Sequence, residues 1–139
     1  MSEEKTQKAN YVGAPAVFAL ELACQHVNNA LQTEKSIGCC YLVGSALEKQ
    51  DWRDVDIRYI MSDEEFSSLF PNVDLTYGTA IWEFDPRWLL FTTSIAQWMS
   101  KETGLPIDFQ IQPQTFANQR HDKPRSAIGI RIKKSKENQ

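Results

Sequence analysis

Two stretches of two-residue alternation, the first of which only begins that way, constrain this chain most. Residues 54–61 read Asp-Val-Asp-Ile-Arg-Tyr-Ile-Met, and residues 106–112 read Pro-Ile-Asp-Phe-Gln-Ile-Gln. Period two is the signature of a half-buried strand, whose successive side chains point to opposite faces. Each stretch therefore has one apolar and one polar face, and the polar faces carry Asp54, Asp56, Arg58 and Asp108. A third strand is read over residues 37–43, Ile-Gly-Cys-Cys-Tyr-Leu-Val, a short apolar run ending at Gly44-Ser45.

Helical spacing fills the intervals. From Ala14 to about Thr33, Val17, Leu20, Cys24, Val27 and Leu31 form one stripe, and Pro15 suits its first turn. Ser62 with Glu65 is a capping box that opens a helix ending before Pro71. Asp85-Pro86 starts a further helix whose apolar face is Trp88, Phe91, Ile95, Trp98 and Met99, with Gly104 as its stop. Residues 127–132 are compatible with a last short strand. The order helix, strand, strand, helix, helix, strand predicts a mixed α/β or α+β domain. Residues 1–12 are expected to form a disordered leader, 13–119 the folded domain and 120–139 a basic C-terminal tail.

The chain has 139 residues, 42% apolar and 24% charged, a size and balance that suit one globular domain. Its net charge of −3 conceals an asymmetry, because residues 120–136 hold seven basic side chains and one acid. An acidic body excludes a basic nucleic-acid-binding core but leaves a basic arm. No secretory signal and no membrane-length apolar run is visible, so a cytoplasmic protein without membrane contact is expected. Cys24, Cys39 and Cys40 lack the spacing of a zinc site or a disulfide framework and are read as core packing.

Asp54 and Asp56 leave one face of a strand roughly 7 Å apart. If the strand bearing Asp108 pairs beside them, three carboxylates meet, a donor set suited to one or two Mg²⁺ ions and to phosphate oxygens. Gly44 permits close backbone approach after a strand, and Ser45 opens a short helix whose N–H groups face the same place. Each piece alone is also what a solvated face or an ordinary turn looks like. Arg53 and Arg58 flank the acids and suit either phosphate or a structural ion pair. Trp52 is read as core or as a surface for a nucleotide base. His26 is read as a packed or surface histidine, and neither it nor His121 has a partner that the sequence identifies.

Val43-Gly44-Ser45, then Asp54-Val55-Asp56-Ile57, then Ile107-Asp108-Phe109 resemble the signature of the DNA polymerase beta-type nucleotidyltransferase superfamily, over roughly residues 37–112. The resemblance implies a small mixed sheet flanked by helices, and a Mg²⁺-dependent nucleotidyltransferase that moves a nucleoside monophosphate from a nucleoside triphosphate to a hydroxyl and releases pyrophosphate. By it, Asp54, Asp56 and Asp108 are metal ligands, Asp108 is also the base, and Gly44 and Ser45 hold the triphosphate. The acceptor is a partner protein or a nucleic acid. Two alternatives stay open at this point: a nucleotide- or partner-binding module of the same fold without turnover, and an interaction protein whose carboxylate face is only solvated.

Overall fold

A computed structural model of the chain describes residues 12–33, 38–48, 51–77, 80–119 and 124–130. The elements are α1 (Ala16–Leu31), β1 (Cys39–Val43), α2 (Ser45–Glu48), β2 (Val55–Met61), α3 (Asp63–Leu69), α4 (Pro86–Thr103), β3 (Ile107–Pro113), α5 (Gln114–Gln119) and β4 (Ser126–Ile128), with two 3₁₀ turns before α4. The fold is α+β. Its one sheet has the order β3-β2-β1-β4, with β1 antiparallel to β2 and β4, and β2 parallel to β3.

Local chemistry explains where the helices begin and end. Ser62 accepts a hydrogen bond from the Glu65 N–H and caps α3, and Asp85 accepts from the Trp88 N–H and caps α4, with Pro86 at its first position. Gly104 ends α4 at φ +74°, a left-handed conformation that only glycine adopts without strain. Pro15 takes the cap position of α1 rather than its first turn.

The sheet has two unlike faces. Cys40, Leu42, Val55, Ile57, Tyr59, Phe109, Ile111 and Ile128 are buried in one core with Leu20, Cys24 and Val27 of α1 and Trp88 and Met99 of α4. The opposite face carries the polar members of the alternation. Its registered rows are Val43–Asp56–Asp108 and Tyr41–Arg58–Gln110. Trp98 departs from the apolar stripe expected of α4: it is 40% exposed and meets His26 edge to face at 6.1 Å. Thr92 takes a buried place instead, its hydroxyl donating to the Trp88 carbonyl one turn back at 2.8 Å.

The sheet also runs past residue 119. Strand β4 pairs with β1, and a Cβ on Gly129 would stand 2.6 Å from the Cys24 carbonyl carbon, so this part of the basic segment is packed against the body. Val12, placed in the expected leader, is buried in the core. The rest of the leader, His121 and residues 131–139 lie outside the described residues. All three cysteines are free, with Cys24 and Cys40 buried and Cys39 half-buried, and burial pushes the Cys39 and Cys40 thiols up. No helix among the described residues is long and apolar enough to cross a membrane.

Candidate active site

Two acids meet as the alternation requires. In the parallel β2–β3 pair Asp56 stands opposite Asp108 on the polar face, at the end of the sheet where β1 delivers Gly44. Asp56 is half-buried, and burial pushes its carboxyl up from the ordinary aspartate range. The Arg58 guanidinium opposes that shift, while the charges of Asp108 and Asp54 and the hydrogen-bonding contact with the Asp108 carboxyl add to it.

The third acid does not close the set. The ladder of β2 begins at Val55, whose N–H donates to Pro106 O at 2.9 Å, so Asp54 lies just ahead of the strand and is exposed. Among the described residues no three His, Cys, Asp or Glu side chains surround one point that could hold a metal ion. The convergence of Asp54, Asp56 and Asp108 expected from the sequence is therefore a pair with a neighbour.

Gly44 sits directly against this pair. Its φ is +76°, and a Cβ there would overlap Asp56 Oδ2. Both facts require glycine: one bars a side chain through the backbone, the other through space. Ser45 follows at the start of α2, which is a single turn, so its dipole contributes little. What this turn offers a ligand is close backbone approach and one hydroxyl.

Arg58 is committed to the site's scaffold. Its guanidinium donates to Asp108 O at 2.9 Å and to Ile57 O at 3.1 Å, and stands 3.6 Å from Asp108 Oδ2. Of the two roles considered for it, the structure holds the ion pair. Arg53 is exposed, and Trp52 is half-buried against the core. Two neighbours were not singled out as site residues from the sequence. Gln110 shares a row with Arg58, and the Arg125 guanidinium lies 5.0 Å over the Tyr41 ring on the next strand. Gln110 was legible as the next polar residue after Asp108, whereas Arg125 reaches the sheet only through the β1–β4 pairing.

Beyond β3 the pair borders a groove of about 590 Å³ between that strand and α4, lined by Asp108, Phe109 and Gln110 on one side and Thr93 and Gln97 on the other. Comparison with protein families, with curated proteins and with solved structures finds no match to the chain.

Proposed function

We propose that the chain is a Mg²⁺-dependent nucleotidyltransferase that moves a nucleoside monophosphate from a nucleoside triphosphate to a hydroxyl. The observation that carries this reading is the Gly44 backbone laid against Asp56, with Asp108 registered beside it. A glycine at this turn lets the backbone come directly against the acid pair, so that a triphosphate held by the turn would lie next to the acids. Two registered acids, one of them raised by burial above the ordinary aspartate range, form a site where a cation relieves the repulsion. Asp56 and Asp108 would hold Mg²⁺, with Asp54 as the neighbouring acid just ahead of the strand, and the ion would supply positive charge for the phosphate oxygens.

In the step itself the hydroxyl oxygen forms a bond to the α-phosphorus, the bond to the bridging oxygen breaks, and pyrophosphate leaves. The hydroxyl proton passes to Asp108, whose place is fixed by Arg58 through both its carbonyl and its carboxylate. Asp56 acts from the other side of the pair, next to the turn.

A binding module without turnover is the second reading, favoured by the lack of three acids around one point among the described residues. Calorimetric titration of each nucleoside triphosphate with Mg²⁺ tests both, on wild type and on Asp54→Ala/Asp56→Ala. Metal-dependent binding that the double variant loses, followed by pyrophosphate release, is expected. Nucleotide bound but never converted would select the binding module. No binding by either protein would mean a solvated carboxylate face.

A further inference from the structure

Three features stand in line across one end of the sheet. Strand β1 ends at Val43, opposite Asp56 on β2, and Asp56 stands opposite Asp108 on β3. The Gly44–Ser45 turn is thus at one end of the row. Beyond the other end, Asp108 lines the groove of about 590 Å³ between β3 and α4. Neighbouring strands lie about 4.8 Å apart, so β1 and β3 are separated by roughly 10 Å, a span comparable with an extended triphosphate. A nucleoside triphosphate is a linear molecule. With its terminal phosphate at the turn and its α-phosphate at Asp108, the nucleoside comes next, at the mouth of the groove.

The lining of the groove suits a neutral, partly apolar group. Its volume falls within the range of small-molecule sites, about 300–1,000 Å³. Leu89, Thr93 and Gln97 follow at intervals of four on α4, so they form one row along the wall, and all three are exposed. Two hydrogen bonds set the direction of that row. Ser100 Oγ accepts from the Ile107 N–H at 3.2 Å, and Trp88 Nε1 donates to Ile111 O at 2.9 Å. Helix α4 therefore runs opposite to β3, which places Gln97 toward Asp108 and Leu89 toward the far end. Glu83, in the 3₁₀ turn Ile81–Phe84 just ahead of α4, is exposed and lines the groove at that end. No Lys or Arg is among the described lining residues, so the groove offers nothing to a phosphate. An amide and a hydroxyl nearer the acids suit ribose hydroxyls, and the apolar wall beyond them suits the face of a base.

We propose that this groove binds the nucleoside of the donor, and that Glu83 selects guanine as its base. The inference rests on the nucleotidyltransferase reading and names the donor. An ionised carboxylate only accepts hydrogen bonds. Guanine presents two adjacent N–H donors, on its ring N1 and its 2-amino group, one for each carboxylate oxygen. Adenine and cytosine place a ring nitrogen lone pair beside their amino group, which a carboxylate repels. Uracil holds its ring N–H between two carbonyls, which repel it as well. Among the described residues no cation forms an ion pair with Glu83, so its carboxylate is open to such a pairing.

Calorimetric titration of the full chain with Mg²⁺ tests this, using GTP, ATP, CTP, UTP and inorganic tripolyphosphate, which keeps the phosphates and lacks the nucleoside. Wild type should bind GTP at least roughly tenfold more tightly than the other three nucleotides. Thr93→Trp fills the groove from an exposed helix position and should weaken GTP at least about tenfold. The same variant should bind tripolyphosphate as wild type does, which also shows that it folds. Glu83→Gln should bind all four nucleotides with the preference for GTP gone. Another nucleotide bound as tightly as GTP, or an unchanged preference in Glu83→Gln, would overturn the inference. So would a Thr93→Trp variant that keeps its GTP affinity or weakens tripolyphosphate equally. No metal-dependent nucleotide binding by wild type would instead defeat the nucleotidyltransferase reading beneath it.

Discussion

Asp56 and Asp108, far apart in the chain, are direct neighbours across the parallel β2–β3 pair, and the Gly44 backbone closes over the first of them. Such an arrangement is poor for stability. Two carboxyls share a face, one of them half-buried, and the opposing cation, Arg58, is tied to the other acid. A fold that keeps a pair of this kind holds a cost that a bound cation would offset, which is why the pair is the centre of the functional reading.

That cost has a sign that can be measured. Because folding raises the Asp56 carboxyl above its unfolded range, the folded chain holds more protons than the unfolded chain in the window between. Stability from this group is therefore greatest below the ordinary aspartate range and falls as pH rises through the raised value. Melting temperature against pH, between about pH 4 and pH 8, should show this loss in wild type without metal and a flatter profile in Asp56→Asn. Added Mg²⁺ should recover the loss in wild type and do little for the variant. Equal slopes in the two proteins would count against a strained pair. The same substitution should abolish nucleotidyl transfer.

Gly44 and Gly104 make a matched pair for a second prediction. Both are left-handed, at φ +76° and +74°, but a Cβ on Gly104 meets nothing within 4 Å, whereas one on Gly44 overlaps Asp56. Alanine at Gly104 should cost about 1 kcal/mol from backbone strain alone and leave nucleotide affinity untouched. Gly44→Ala should cost more and remove nucleotide binding. Denaturant melts and calorimetry on both variants separate strain from site damage. Matching losses of affinity would mean that Gly44 acts only through the backbone.

Local rules made most of the fold legible. Ser62, Asp85-Pro86 and Gly104 mark helix ends because capping acts within a turn of the chain, and the alternation at 54–61 and 106–112 marks strands because the pleat has period two. The acid pair followed from that alternation. What was hidden depends on contacts between distant segments. Asp54 falls outside the ladder because pairing starts at Val55, a matter of register that its own sequence does not state. Arg125 reaches Tyr41, and β4 joins β1, across most of the chain's length. Asn28 sits among the apolar residues of α1 for a reason visible only once β1 and β4 are placed against it.

Arg58 separates geometry from electrostatics. Its guanidinium fixes Asp108 and also holds the Asp56 carboxyl lower than burial alone would leave it. Arg58→Ala should therefore raise the Asp56 carboxyl further and move the acidic limb of the kcat/KM profile to higher pH, with kcat falling even on the plateau as Asp108 loosens. Stability should change by only about 1 kcal/mol or less, as for a partly exposed ion pair. Lysine should not restore the plateau, since one ammonium cannot span the carbonyl and the carboxylate as the planar guanidinium does. An unmoved acidic limb would remove Arg58 from the electrostatics of the pair.

The Asn28 side chain holds the far edge of the sheet to α1. Its Oδ1 accepts from the Cys40 N–H at 2.8 Å, and its Nδ2 donates to Ile128 O and Gly129 O at 3.1 Å each. It is one of the two polar residues buried among the described ones, so no water replaces these bonds if the amide is lost. Asn28→Leu keeps the volume but orphans one N–H and two carbonyls, for an expected loss of about 3 kcal/mol. Asn28→Asp keeps the acceptor for Cys40 and turns an oxygen on the two carbonyls, so it should be most damaging when ionised and recover partly as pH falls. Hydrogen exchange localises the effect: the β1–β4 ladder should open in Asn28→Leu while the β2–β3 ladder, which carries Asp56 and Asp108, stays protected. Loss of protection in both ladders together would show that the sheet unfolds as one unit and that Asn28 secures the site as well as the edge.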